Sequence, residues 1–120
     1  MAVRTLIVDD SRTMQQLVKA ELERSDAISV IGVASSAQEA REMIKALDPD
    51  VITLDIEMDG MSGLEFLERI MTLRPTPTVM VSSLTSEGAE ESLTALELGA
   101  IGCFDKSDLL ARRDGGSKSS

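Results

Sequence analysis

At 120 residues the chain has the length of one ordinary domain, with 21 acidic against 12 basic residues, a formal charge of −9, one cysteine, no histidine and two aromatics. That inventory excludes an internal disulfide, a Ser-His-Asp triad, a histidine general base and a His-rich zinc site. The negative charge argues against nucleic acid or an anionic membrane as direct partner and favours hard cations or basic protein patches.

Thr5-Leu6-Ile7-Val8 reads as a buried strand that ends at Asp9-Asp10. Ser11 then caps a helix with apolar positions Met14, Leu17, Val18 and Leu22. Ile28–Ala34 is a second β-branched run. Ser36 and Glu39 form a capping box before Ala37, Ala40, Ile44 and Leu47, which share one helical face until Pro49 stops the helix. Residues 51–54 make a third strand, which runs into Asp55, Glu57 and Asp59.

Ser62 and Glu65 form another capping box, followed by a stripe of Leu64, Leu67, Ile70 and Met71. After Pro75 and Pro77 comes a fourth strand, Val79-Met80-Val81, ending at Ser82-Ser83. A helix with Ala89, Leu93 and Leu96 inward runs to Gly99, a C-cap. Residues 100–104 form a fifth strand, with Cys103 a small core residue, and it ends at Asp105-Lys106. Residues 107–113 hold two turns of helix. One domain over residues 1–113 and a flexible polar tail over 114–120 are expected. No apolar run approaches the roughly 20 residues of a membrane span, and acids arrive too early for a signal peptide, so a cytoplasmic protein is expected.

Five alternations of apolar strand and helix imply an α/β fold, a doubly wound five-stranded parallel sheet whose last helix is short, with only Leu109 and Leu110 before the glycines. Ligands of such sheets bind beyond the carboxyl ends of the strands. Asp9, Asp10, Asp55, Ser82 and Lys106 all fall at that edge. Carboxylates gathered there repel, which is relieved by protonating one of them or by binding a cation; hard oxygen ligands suit Mg²⁺. A carboxylate nucleophile, a divalent metal, a lysine and a hydroxyl are the parts of a phosphoryl-transfer site.

Asp9-Asp10, Asp55 in its DIEM setting, Gly63, Ser82-Ser83 and Lys106 together resemble the receiver domain of two-component response regulators over about residues 3–107. Within that family, VMVSSLTSEGAEESLTALELGA is most similar to the receivers of chemotaxis methylesterases. The resemblance implies a flavodoxin-like receiver fold with strand order 2-1-3-4-5. It makes Asp55 the phosphoacceptor and Asp9 and Asp10 metal ligands together with Asp55, with Glu57 lending a backbone carbonyl. Ser82 and Lys106 would bind the phosphoryl group. Mg²⁺ is the implied cofactor. The implied partners are a histidine kinase as phosphodonor and a downstream protein or fused output domain, with neither nucleic acid nor membrane. No esterase segment is legible in these residues, so a regulatory domain rather than an enzyme is expected, although a longer parent could be a protein-glutamate methylesterase.

The pattern departs from the family at four places. Asp59 stands where proline is common, and Asp59-Gly60 marks a mobile loop. Ser62 stands where aspartate is common, and Ser107 replaces the proline that often supplies a cis peptide. Three residues before the lysine, where an aromatic switch residue is usual, stands Cys103, unless a bulge brings Phe104 there. Two other classes compete. A haloacid-dehalogenase-type hydrolase wants an aspartate where Glu57 stands and has no acidic pair on strand one. A receiver-like scaffold indifferent to phosphate remains the alternative function.

Overall fold

The computed structural model describes residues 2–58, 62–82 and 86–115, except the side chains of 86–89 and 112–115. Among them, strands and helices alternate as β1 (Val3–Val8), α1 (Arg12–Leu22), β2 (Ile28–Ala34), α2 (Ala37–Leu47), β3 (Val51–Asp55), α3 (Gly63–Leu73), β4 (Thr78–Ser82), α4 (Ser86–Leu98), β5 (Gly102–Asp105) and α5 (Lys106–Gly115). The sheet is parallel throughout, in the order β2-β1-β3-β4-β5.

Each central strand is apolar on both faces because both faces are covered. Leu6, Val8, Ile52, Leu54 and Met80 pack with α2, α3 and α4 through Ile44, Leu67 and Ala95. Ile7 and Val81 pack on the other side with Met14 and Val18 of α1 and Leu109 of α5. The chain leaves β1 for β2 in one direction and returns to β3 in the other, so the carboxyl ends of β1 and β3 flank the point where the winding reverses. Asp9 follows the first of these strands and Asp55 ends the second.

The helix starts follow their caps. Ser11, Ser36 and Ser62 each accept the amide three residues on, at 3.3, 3.1 and 3.2 Å. The Glu39 carboxylate reaches back to the Ser35 amide at 2.8 Å, one residue before the cap, a variant of the expected box. At the end of α4, Gly99 sits at φ 117, its amide bonds Leu96 and the Ala100 amide bonds Ala95. That is a Schellman turn, with two buried alanines as its apolar contact.

Three expectations change. Leu93 and Leu96 face solvent at 64% and 46% exposure, while Ala95 is fully buried. The face turned to the sheet is instead the one that carries Ala95 and Ser92, whose hydroxyl meets Ser82 of β4. Cys103 is exposed, because β5 is an edge strand with a neighbour on one side only. The last helix starts at Lys106, since the Asp105 carboxylate accepts the Ser107 amide at 2.8 Å and so acts as the N-cap; it runs to Gly115. No cis peptide bond occurs among the described residues, and Asp59, Gly60 and Ser83 lie outside them.

Candidate functional site

Three strand ends turn by the same device. Asp9 Oδ1 accepts the Ser11 amide at 2.8 Å, Asp55 Oδ1 the Glu57 amide at 3.0 Å and Asp105 Oδ1 the Ser107 amide at 2.8 Å. A short carboxylate that imitates a backbone turn explains why aspartate recurs there. The turn uses one oxygen and leaves the other. In Asp9 and Asp55 the second oxygen, Oδ2, is buried and has no hydrogen-bond partner among the described residues.

Both side chains are 1% exposed, whereas Asp10 is exposed. Ligand oxygens of Asp9, Asp10 and Asp55 nevertheless lie within 4.8 Å of one another. The expected acidic cluster therefore forms. Lys106, in the first turn of α5, places Nζ 2.9 Å from Asp55 Oδ1 and 4.0 Å from Glu57 Oε2. The Glu57 side chain thus sits beside the lysine and is not part of the three-carboxylate group. Ser82, buried at the end of β4, shares a 3.0 Å hydrogen bond with Ser92 of α4.

The electrostatics are unbalanced. Burial pushes the Asp9 carboxyl from 3.8 up to about 7; the Ser11 amide and Lys106 oppose that rise and Asp55 adds to it. Burial also raises Asp55, against its hydrogen bond to Lys106, the lysine charge and the Glu57 amide, while Asp10 repels it. Burial pulls Lys106 down, but its bond to Asp55 and the charges of Asp55, Asp9 and Glu57 outweigh that and the net shift is upward. The two partners of one ion pair thus differ: the lysine prefers its charge and Asp55 resists its own. One ammonium serves several carboxylates, so it is well compensated and they are not.

An all-oxygen anionic donor set with two orphaned buried oxygens fits a hard divalent cation such as Mg²⁺. Two polar residues of this edge were not legible as parts of it. Gln15 is buried and donates from Nε2 to the Asp9 carbonyl at 2.6 Å and to Ser35 Oγ at 3.0 Å, fixing the loop that carries the acids. Nothing in the sequence sets it apart from any helical glutamine. Ser92 lies three residues before buried Ala95, and that small-residue spacing was the signal for an inward face.

A five-stranded parallel sheet in this order, with an acid cluster at the switch point and a lysine after β5, is a doubly wound α/β domain with a site for a hard cation at its carboxyl edge. The chain belongs to the response regulator receiver domain family, which matches residues 5–112. It is 60% identical over 104 residues to protein-glutamate methylesterase/protein-glutamine glutaminase 1 of Caulobacter vibrioides, covering 87% of this chain and 30% of that protein. The corresponding protein of Rhizobium etli is 59% identical over 103 residues, covering 86% of this chain and again 30% of the relative. The chain therefore spans about 30% of the length of these curated relatives. Among solved structures, the response regulator domain of Thermotoga maritima CheB matches with a TM-score of 0.83 and 39% identity, over 98% of this chain and 90% of that one. No helix among the described residues is long and apolar enough to cross a membrane.

Proposed function

We propose that this receiver domain takes a phosphoryl group onto Asp55 and changes conformation in response. The observation that carries the reading is the division of labour within one carboxylate. Asp55 Oδ1 is held by Lys106 and the Glu57 amide, while Oδ2 is buried without a partner among the described residues. An oriented oxygen beside a fixed cation is what in-line attack at phosphorus requires. A P–O bond to Asp55 forms as the donor's P–N bond breaks, and the donor imidazole keeps the electron pair. By analogy with the receiver family the donor is a phosphohistidine on a partner kinase, which supplies the histidine that this chain lacks.

Asp9, Asp10 and Asp55, with the Glu57 backbone carbonyl, would hold Mg²⁺, which when bound supplies charge neutralisation and a coordination position for a phosphoryl oxygen. Lys106 pairs with the transferred group, and the Ser82 hydroxyl bonds it. The output is a methylesterase, fused or in trans, by analogy with the relatives, and the setting is chemotaxis signalling in the cytoplasm.

Incubation with acetyl phosphate and Mg²⁺ is expected to add one phosphoryl group to the wild type and none to Asp55→Asn, with labelling lost under chelation. Equal labelling of the two proteins would reject Asp55 as acceptor, and no labelling of either would favour the phosphate-indifferent scaffold.

Where Ser82 is the donor in its bond to Ser92, it must let go of it to donate to a phosphoryl oxygen. A hydrogen bond of this kind contributes about 0.5–1.5 kcal/mol net. Ser92→Ala is therefore expected to raise affinity for beryllofluoride in Mg²⁺ by roughly 2- to 10-fold. Unchanged or weaker binding would mean that Ser82 does not leave Ser92.

A further inference from the structure

We propose that the groove between α2 and α3 is a docking site for an acidic amphipathic peptide segment of a partner protein. The groove is a cavity of about 510 Å³, away from the acid cluster. Ile44, Phe66 and Ile70 form a buried floor, and Leu73 stands at its wall with 78% of its surface exposed. Four cations line it, Arg41 and Lys45 from α2 and Arg69 and Arg74 from α3 and its end, and among the described residues no acid does. In a chain of 21 acids and 12 bases this is a local inversion of charge.

Arg74 is committed to Asp48 Oδ1 at 2.6 Å. Arg41, Lys45 and Arg69 are in no ion pair among the described residues. Glu65 and Glu68 line a neighbouring cavity with Arg69, not this groove. The arrangement selects the occupant. Arg41 and Lys45 are one helical turn apart, about 6 Å along the axis, so positive charge lies along a line rather than at a point. A line of cations above an apolar floor matches a segment with acids on its flanks and apolar side chains at helical spacing, the helix-in-groove mode of recognition. A single small anion would leave either the floor or most of the charge unused. An anionic membrane would have to approach a body of net charge −9 and could not reach into a concavity.

The test is selection from a random peptide display library on the wild-type chain, with counter-selection on Arg41→Gln/Lys45→Gln/Arg69→Gln. The variant keeps the acid cluster, so counter-selection removes peptides bound there. Leu73→Ser is a second variant that removes the apolar wall without altering charge, and thermal melts establish that both fold. Enriched peptides are expected to be net acidic with apolar residues at helical spacing. They should bind each variant at least about tenfold more weakly and shift wild-type amide resonances at residues 41–47 and 66–74. Peptides without acidic bias, equal binding to the variants, shifts elsewhere, or no surviving clone would overturn the proposal. So would binding confined to phosphatidylglycerol vesicles, which would make the groove a membrane contact, or self-association abolished by the variants.

Discussion

Alanine in place of Gly63 is expected to destabilise the fold by about 3 kcal/mol or more. A Cβ at this position would lie 2.2 Å from the Asp55 carbonyl oxygen and 2.6 Å from the Ile56 Cα. Both are backbone atoms of a buried strand end, so no flexible side chain can swing aside. The Gly63 amide meanwhile donates to the Ile56 carbonyl at 2.8 Å, which pins the first turn of α3 to the same two residues. The backbone φ of Gly63 is unexceptional, so close approach is the whole reason for glycine. Gly102→Ala is the matched control, because nothing lies within 4 Å of its added Cβ. There the change is expected to be neutral or stabilising by up to about 1 kcal/mol. Urea unfolding of both variants decides it. A Gly63→Ala protein as stable as the control would show that α3 is free to slide off the strand. Any folded Gly63→Ala is also expected to bind beryllofluoride less well, since the displaced atoms carry Asp55.

The second large effect is an inverted pH dependence. In the metal-free protein the buried Asp9 holds its proton up to about pH 7, whereas an unfolded aspartate releases it near 3.8. Between those values the folded state binds more protons than the unfolded state, so stability falls as pH rises through the window. With about 1.4 kcal/mol per unit of pKa difference, the loss is on the order of 2–4 kcal/mol. Asp55, raised in the same direction, adds to it. Mg²⁺ is expected to reverse the sign, since cation-bound carboxylates are held ionised and their protons then bind the unfolded state better. At 100 times its Kd the ion adds about 2.7 kcal/mol. Melts in chelator and in Mg²⁺, from about pH 4 to about pH 8, compare wild type with Asp9→Asn. The difference between the two proteins isolates the site from ordinary acid unfolding. If the metal-free curves run parallel, Asp9 does not carry this proton.

The Ser82–Ser92 bond bears on how a signal would leave the site. Cys103 Sγ lies 3.9 Å from the Ser92 carbonyl, so both residues meet at one point on α4. β5 pairs with β4 residue by residue, Met80 with Cys103 and Val81 with Phe104, without a bulge. Met80 and Val81 belong to opposite faces of the sheet, so Cys103 faces α4 and Phe104 does not. Cys103 rather than an aromatic therefore stands on the α4 face of β5, and there the Ser92 hydroxyl meets Ser82.

Local chemistry made most of the frame readable. Strand runs apolar on both faces called for a covered parallel sheet, serine caps located the starts of α1, α2 and α3, and acids that interrupted apolar runs marked strand ends. Such signals depend on neighbours within a few residues, and the chain carries them wherever it goes. The family resemblance supplied the strand order, which no local signal contains. Tertiary structure alone decided the rest. Which face of α4 turns inward was settled by its packing on β4, which favoured Ser92 and Ala95 over two leucines. The exposure of Cys103 followed from β5 having no outer neighbour. That the Asp9 and Asp55 carboxyls are both pushed upward depended on their burial, which the single lysine beside them offsets only in part. The basic groove exists because α2 and α3, whose cations are separated by more than 20 residues of chain, lie side by side. Distance, burial and charge balance are properties of the folded body, and they are fixed only when segments remote in sequence meet.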